Sequence, residues 1–306
     1  MGFEIRLEEP ANNRDRANRE PWSDTGFLDV VARTHDLQAW LLTCYKGEEL
    51  VASLPLYERS RFGIKYLVEP VTAYYQPLQF FLPVEQQQSR RHLDELRVME
   101  AMAAFLKDKY RRLHIKLHPG TLDTRAFIWA GMRATPFYTF IHKRGDNLDP
   151  VKDEQRNLKL AGDRGYSYSN AFVPEAFFAL FRRMHERKER RFSLSLDKMQ
   201  AFCSSLHNLG LMHQSNVLLD DKIVSADLFL GKGSGTAYLL HRASSPEEMP
   251  MGVSAWHSSR LLEELTKDYE LVDFCGANVR EVARFKAALG LQLAVFFQIE
   301  YGSKII

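Results

Sequence analysis

The sequence is poor in cysteine, and this shortage argues against a scaffold held together by disulfides. Only three cysteines occur among its 306 residues, Cys44, Cys203 and Cys275, and they lie far apart without a C-x-x-C pair. Such an odd, sparse count is typical of proteins in a reducing compartment. The ten histidines show no metal-ligand spacing with these cysteines, so we expect no structural zinc site and no other metal.

The sequence also lacks a long apolar run and a strong charge imbalance. Its longest apolar run, 291–299, is interrupted by Gln292 and Gln298 and is too short to cross a bilayer. The N-terminal residues are charged and lack the apolar segment of a signal peptide. We therefore expect a soluble, cytoplasmic protein without a membrane span. The 41 basic and 39 acidic side chains nearly balance, which gives no reason to expect DNA as a partner.

What the sequence does contain is a mixture of strand and helix patterns. Two segments, 39–57 and 212–230, read as β-hairpins, each with a polar turn between two apolar strands. Two others, 89–110 and 254–267, carry apolar residues at helical spacing. The length and the 45% hydrophobic content fit two ordinary globular domains.

The two halves of the chain repeat one another. After its hairpin, each half runs through a long helix, a tyrosine, a strand, a short helix, a glycine and a final strand. The tyrosines Tyr110 and Tyr269 are separated by 159 residues, and so are the glycines Gly131 and Gly290. Equal offsets of this size indicate a duplicated domain, because a solenoid would repeat at a far shorter period.

The predicted fold class is therefore α/β (α+β), with two domains in tandem. We place the N-terminal domain at 1–145 and the C-terminal domain at 146–306. The polar, charged stretch 143–153 is the expected connection between them. Each domain is expected to hold a mainly antiparallel mixed sheet flanked by helices.

The C-terminal half carries three short motifs in a fixed order. They are Asp273–Gly276 (Asp-Phe-Cys-Gly), Arg284–Lys286 (Arg-Phe-Lys) and Leu289–Gly290, and a basic segment, Arg156–Gly165, precedes them. Together these motifs resemble the pattern of the FemAB family, in which an aspartate–aromatic–x–glycine strand end is followed by Phe-Lys and a small residue before glycine. The N-terminal half is linked to that family only through the repeat.

The resemblance implies two GNAT-like domains and a transferase that moves an acyl or aminoacyl group to the amine of a small molecule or peptide. It leaves the donor open between acyl-CoA and aminoacyl-tRNA, so tRNA is a possible partner, and it implies no tightly bound cofactor. The alternative is a catalytically silent tandem-GNAT fold that serves as a binding module.

Amine acylation needs a base for the ammonium proton and positive groups for the oxyanion or donor phosphates. By its place in the Phe-Lys motif, Lys286 is a candidate for the positive charge; the alternative is a solvated helix lysine. Asp273 is a candidate for orienting the substrate amine, or else it caps a helix that begins near Asn278. Gly276 is expected to allow close backbone approach at the same turn, and we group it with Asn278 as substrate-binding residues.

Three further candidates lie on predicted strands. Asp227 interrupts an apolar strand, so it lies either on a solvated face or in a cleft. Tyr238 and His241 lie on the strand that binds the thioester arm of the donor in GNAT enzymes. His241 is a candidate general base, with a solvated strand-end histidine as the alternative.

Three regions bear on the donor. Arg156 in the basic segment and Arg190 and Arg191 in the basic helix 181–192 are candidates for binding donor phosphates or an RNA backbone. The alternative for the helix is a solvated, salt-bridged face. The loop 244–256, where GNAT acetyltransferases cradle the CoA pyrophosphate, has one glycine, no arginine and two acidic residues, which weakens the case for acetyl-CoA.

Overall fold

The computed structural model describes residues 2–10, 20–83, 85–188, 194–233 and 235–302. Its helices are α1 Thr25–His35, α2 Gln88–Lys109, α3 Arg125–Trp129, α4 Lys152–Gly162, α5 Pro174–Lys188, α6 Leu196–Asn208, α7 Val253–Asp268 and α8 Arg280–Ala288. Its strands are β1 Phe3–Glu8, β2 Gln38–Lys46, β3 Glu49–Arg61, β4 Ile64–Leu67, β5 Gln79–Phe80, β6 Leu113–Lys116, β7 Arg133–Lys143, β8 Ser167–Ser169, β9 Met212–Leu219, β10 Lys222–Leu230, β11 Thr236–Ser244, β12 Leu271–Asp273 and β13 Gln292–Tyr301.

The chain forms two compact units, and neither is a single stretch of sequence. Unit 1 contains the described residues within Met1–Asn18, Trp22–Phe137 and Val295–Ile306. Unit 2 contains Glu20 and Pro21 together with the described residues within Tyr138–Ala294. The division therefore falls inside β7 and inside β13. The domain boundary expected near residue 145 stays a prediction.

In unit 1 an antiparallel sheet runs in the order β1-β2-β3-β4, and β5 pairs with β3. One face of α2 packs on this sheet through Val98, Met102 and Leu106, which follow each other at four-residue steps and are fully buried. The same apolar cluster includes Ile299 from β13, which is also fully buried. The core of unit 1 is thus closed by residues from near the C-terminal end of the sequence.

In unit 2 six strands run in the order β7-β12-β11-β10-β9-β8. The pairing of β11 with β12 is parallel, whereas β12 with β7, β11 with β10, β10 with β9 and β9 with β8 are antiparallel. Helix α7 packs on the sheet through Leu261, Leu262 and Leu265, which share an apolar cluster with Val272 and Phe274 of the β12 region.

The two repeats exchange their last strands. In unit 1, β6 pairs with β13 so that Leu113 lies opposite Tyr301. In unit 2, β12 pairs with β7 so that Val272 lies opposite His142. Moving Leu113 forward and Tyr301 back by the same 159 residues gives Val272 and His142, so the two registers are equivalent. This equivalence supports the duplication predicted from the sequence.

The glycine that precedes each exchanged strand has the same backbone conformation. Gly131 has φ +84° and Gly290 has φ +83°, which is the left-handed region that glycine adopts without a steric cost. The preceding long helices also end alike, because Tyr110 and Tyr269 are the C-cap residues of α2 and α7.

Candidate active site

The end of β12 and the turn after it form a dense polar site in unit 2. Cys275 and Gly276 are both left-handed, with φ +44° and +51°. Because a cysteine adopts this conformation only at a cost, the turn needs support from outside. Lys286 of α8 supplies it: its ammonium donates to the carbonyl oxygens of Phe274 at 2.7 Å, Gly276 at 3.3 Å and Cys275.

Lys286 is therefore a buried residue, with 8% of its surface exposed. Burial lowers its pKa to about 8, although the neighbouring Cys275 and Asp273 oppose this shift. The interpretation as a solvated helix lysine is wrong, because the ammonium points at backbone carbonyls inside unit 2. Its role toward a substrate charge stays a prediction.

Asp273 is buried beside that turn, with 1% of its surface exposed. Its Oδ1 accepts a hydrogen bond from the Thr139 hydroxyl at 2.5 Å and another from the Cys275 amide at 2.7 Å. The alternative that Asp273 caps the next helix is wrong, since Val279 occupies the N-cap of α8. Its carboxylate instead fixes the first peptide group of the left-handed turn.

A tyrosine–glutamate pair lies next to Asp273. Tyr238 is the register partner of Asp273 in the parallel pairing of β11 and β12. Its hydroxyl is buried and donates to Oε2 of Glu20 at 2.5 Å. Burial raises the pKa of Glu20 and the Asp273 carboxylate adds to the rise, whereas the bond from Tyr238 opposes it. A carboxylate whose pKa is raised is a stronger base than an ordinary carboxylate, which makes Glu20 a candidate general base.

Asp227 lies on β10, where its fully buried carboxylate forms an ion pair. Its register partner Arg242 on β11 donates from Nε and Nη2 to the two carboxylate oxygens, at 2.7 and 2.5 Å. The remaining Nη1 donates to the Ser254 carbonyl at 2.9 Å and to the Ser258 hydroxyl at 2.6 Å. The solvated-face alternative for Asp227 is wrong: the charge is buried because a guanidinium neutralises it in bidentate geometry.

His257 of α7 completes this buried network. Its two ring nitrogens lie 3.0 Å from the Ser215 hydroxyl and 2.9 Å from the Ser225 hydroxyl. Nε2 is also 3.5 Å from the Asp227 carboxylate. Burial lowers the pKa of His257 to about 4, with the Asp227 charge opposing the shift. His257 is therefore neutral at pH 7 and ties α7 to the sheet.

His241 of β11 packs against α5. The His241 ring packs edge-on against Phe181, with ring centroids 5.8 Å apart. Burial, with a smaller contribution from His185, lowers its pKa to about 4. It is thus not the solvated histidine that was the alternative to a general base. Arg190 and Arg191 lie outside the described residues.

The two remaining candidates have local partners. The Arg156 side chain is 79% exposed and pairs with Asp153, three residues earlier on α4, at 3.3 Å. Asn278 accepts from the Tyr138 amide at 3.0 Å and donates to the Tyr138 carbonyl at 3.1 Å. The Asn278 side chain therefore bonds to the backbone of β7 through one donor and one acceptor, as the backbone of a neighbouring strand does. Arg156 lies on a solvated helix face.

The loop before α7 corresponds to the pyrophosphate-binding loop of GNAT acetyltransferases. In this chain, side chains of the protein itself bind the carboxylate of Glu248 in that loop. Glu248 accepts from Arg164 at 2.8 and 3.1 Å and from the Tyr166 hydroxyl at 2.6 Å. The hydrogen bond from Arg164 is the main cause of a lowered Glu248 pKa, so the carboxylate stays charged. Gly252, the N-cap of α7, lies so close to Asn157 of α4 that a Cβ would collide with its carbonyl oxygen. The Glu248 carboxylate is thus paired with Arg164, and the N-terminus of α7 is packed against the backbone of α4.

The first repeat does not carry the same site. The 159-residue offset aligns Asp273 with His114 and Lys286 with Phe127, and Phe127 is buried in the apolar core of unit 1. The Asp273–Lys286 arrangement therefore belongs to the second repeat.

Sequence reasoning missed Glu20, Arg242 and His257. Glu20 lies in a polar segment without periodicity, and the pairing with Tyr238 spans more than half of the chain. Arg242 follows directly after His241, but the glycine-rich connection from β10 leaves its register with Asp227 undetermined by the sequence.

No family model and no curated protein sequence matches this chain. Among solved structures, FemX aligns with a TM-score of 0.65 at 13% identity, covering 94% of both chains. A conserved protein of unknown function from Bacteroides thetaiotaomicron aligns with a TM-score of 0.55 at 11% identity, over 97% of this chain and 100% of the other. L-PGS from Bacillus licheniformis aligns with a TM-score of 0.53 at 10% identity, over 91% of this chain and 88% of the other.

These likenesses establish the fold. The tandem arrangement of two GNAT-like α/β domains that the sequence predicted is confirmed, and it is the fold of FemX. Within the described residues, no helix is long and apolar enough to cross a membrane.

Proposed function

We propose that this chain transfers an acyl or aminoacyl group from an activated donor to an amine. The observation that carries the proposal is the strand end of β12, where Asp273, the turn held by Lys286 and the Glu20–Tyr238 pair come together on a FemX-type fold. The motifs that resemble the FemAB family are the residues that build this turn.

In the proposed reaction the amine nitrogen attacks the carbonyl carbon of an ester or thioester. A C–N bond forms, the C–O or C–S bond breaks, and the ammonium proton must leave before the attack. Glu20 accepts that proton, because burial raises its pKa toward the working range of a base. That first proton is released to solvent. A second proton, which the nitrogen loses to Glu20 once the C–N bond has formed, passes to the leaving oxygen or sulfur. Tyr238 acts through Glu20 as a positioning residue, since its hydroxyl fixes one carboxylate oxygen.

Lys286 and Asp273 give the turn its shape. Lys286 gathers three carbonyl oxygens on one side of the turn, and Asp273 holds the Cys275 amide. The ammonium charge of Lys286 is fixed in place before the reaction, so it attracts a negative charge that develops nearby without reorganising at that moment. We propose that the tetrahedral oxyanion forms beside this turn.

We propose aminoacyl-tRNA as the donor in preference to acyl-CoA. The close packing of Gly252 against α4 opposes a pyrophosphate at the N-terminus of α7. The donor brings its own activated carbonyl, so this chemistry requires no resident cofactor. The acceptor is the amine of a small molecule or peptide.

Hydroxylamine tests this function without knowledge of the natural acceptor. The protein is incubated with pools of aminoacyl-tRNA, and separately with acyl-CoA thioesters, and hydroxamate formation is measured. We expect product from aminoacyl-tRNA. Glu20→Gln should lower the rate about a hundredfold or more with an alkylamine acceptor. The loss should be smaller with hydroxylamine, which is already unprotonated at neutral pH.

The exposed Arg33→Gln variant, in which a guanidinium that pairs with Asp29 on α1 is removed, is the matched control and should keep the wild-type rate. Donor binding without turnover, together with identical rates for wild type and Glu20→Gln, would support the silent binding module instead. Product from acyl-CoA but not from aminoacyl-tRNA would overturn the donor assignment and leave the reaction class standing.

A further inference from the structure

The hairpin formed by β3 and β4 ends in an exposed apolar tip. Phe62 is 90% exposed and Ile64 is 46% exposed. In the register of the two strands, Arg61 lies opposite Ile64 and Arg59 lies opposite Tyr66. These four side chains therefore share one face of the hairpin, next to the tip.

The tip holds an aromatic residue where turn chemistry prefers another type. Phe62 and Gly63 both have positive φ, +51° and +74°, which defines a two-residue turn of type I′. Asparagine, aspartate or glycine is the usual first residue of such a turn, and a phenylalanine there is strained. The turn would form more readily with asparagine, so the geometry of the turn does not explain the presence of the exposed Phe62 ring.

The strands behind the tip are basic. Arg59, Arg61 and Lys65 are exposed, and the sequence contains no acidic residue from 59 to 68. Glu58 is buried at the base of the hairpin, where it pairs with Lys65 at 2.9 Å and accepts from the Tyr110 hydroxyl at 2.8 Å. The Arg61 guanidinium lies 5.2 Å from the centre of the Phe62 ring. The tip is thus apolar, and positively charged side chains lie one to three residues away from it along the two strands.

We propose that this hairpin docks the protein onto an anionic phospholipid surface. Phe62 and Ile64 enter the boundary between headgroups and acyl chains, while Arg59 and Arg61, which share a face of the hairpin with Ile64, lie at the level of the phosphates. A nucleic acid is the other polyanion that suits such cations, and an aromatic ring can stack on a base. Ile64 favours the bilayer, because an aliphatic side chain does not stack on an unpaired base as an aromatic ring does, whereas a bilayer buries it.

The proposal is tested by sedimentation of the full chain with vesicles. One preparation is phosphatidylcholine alone, and the other is an equal mixture of phosphatidylcholine and phosphatidylglycerol. We expect binding to the anionic vesicles, weakened by salt. Phe62→Asn combined with Ile64→Ser should reduce the binding constant tenfold or more. Arg59→Gln and Arg61→Gln should each reduce it about fivefold.

Phe62→Asn removes the ring and favours the type I′ turn, so a loss of binding in this variant does not come from a misfolded hairpin. Leu122→Ser removes a 65% exposed apolar side chain from elsewhere in unit 1 and is the matched control. Equal binding to neutral and anionic vesicles, or no effect of the tip variants, would overturn the proposal. So would binding of deacylated tRNA that depends on Phe62 in a protein that ignores the vesicles.

Discussion

A lysine ammonium inside a protein is stable only when its donors are satisfied, and Lys286 is held by three carbonyls of one turn. Replacing it with methionine keeps the stem and leaves those carbonyls without their donor. We expect Lys286→Met to lower the free energy of unfolding by about 3 kcal/mol, because hydrogen bonds to charged groups are worth roughly 1.5–3 kcal/mol each and part of the loss is recovered by relaxation.

Urea unfolding measures this change. Lys267→Met on α7 is the matched control, since that ammonium is 62% exposed and pairs with Glu264 on the surface. Its effect should stay within about 0.5 kcal/mol. Equal effects of the two substitutions would mean that the turn is stable without Lys286.

The lowered pKa of His257 leads to a prediction of how the free energy of unfolding depends on pH. Its pKa is about 4 in the folded protein against 6.5 for the free side chain. Between these values the unfolded chain binds a proton that the folded protein does not, so the free energy of unfolding falls as the pH drops from 6.5 to 4. Above pH 6.5 the contribution of His257 is fully present. The loss across this window is on the order of 3 kcal/mol.

Urea titrations at several pH values test this expectation. His257→Gln keeps a polar group between the two serines but cannot titrate, so its stability should fall less steeply across the same window. If the stability of His257→Gln depends on pH as steeply as that of the wild type, the proton uptake belongs to other groups. His118 and His241 are two such groups, because burial also lowers their pKa values to about 4.

The residue types of the site were only partly predictable. The family-like motifs gave Asp273 and Lys286, and the strand pattern gave Tyr238. The burial of Lys286 was not predictable, because the sequence of a helix does not show that the carbonyl oxygens of the preceding turn, Phe274–Gly276, will point toward the lysine ammonium. Glu20 was missed for a different reason: its partner is distant in sequence, and no periodicity marks the segment before it.

At the scale of secondary structure, the equivalent glycines Gly131 and Gly290 make a matched pair. An alanine at either position must adopt positive φ, which costs roughly 1–2 kcal/mol. At Gly131 the nearest atom to a new Cβ is the flexible Lys107 Nζ at 3.6 Å, so we expect only that cost. At Gly290 the new Cβ would lie 2.6 and 2.7 Å from the Asp149 amide nitrogen and carbonyl oxygen, so the backbone must shift.

Gly290→Ala should therefore destabilise the protein by at least about 1 kcal/mol more than Gly131→Ala, which is the size of an overpacking penalty. Thermal or urea unfolding of the two variants measures the difference. Similar values would show that the Asp149 segment moves away freely.

Most elements followed from local pattern, and the exceptions have a physical cause. The predicted hairpins and long helices occur within a few residues of the expected bounds. The structure also shows Asp24 as the N-cap of α1, where its carboxylate accepts from the Gly26 and Phe27 amides. The second repeat has a continuous β11, whereas the corresponding part of the first repeat is broken into β4 and β5. Prolines at 70 and 77 remove ladder donors there.

At the scale of the whole molecule, the strand exchange was not predictable, because the sequence repeat is the same whether each final strand stays in its own repeat or crosses over. It leads to a prediction. A fragment 1–145 lacks β13, the partner of β6, and a fragment 146–306 lacks β7, the partner of β12. Each fragment expressed alone should fail to unfold cooperatively, and the two should copurify when expressed together.

Size-exclusion chromatography and thermal unfolding of the separate and combined fragments decide this. A fragment that melts alone at the temperature of the intact chain would show that its borrowed strand is dispensable. The same experiment examines the boundary near residue 145, since a boundary inside a folded element would leave both fragments unable to associate.

The strand exchange also imposes a delay during synthesis, because β6 is made long before its partner β13. Lys116 and its strand partner Gln298 are separated by roughly 180 residues, which a ribosome adds in about ten to forty seconds. During that interval β6 has no β13 beside it, and the apolar cluster of unit 1 lacks Ile299. Nascent chains stalled before β13 should therefore recruit chaperones or aggregate through the open edge of β6, and slower translation of the second repeat should lower the yield of folded protein.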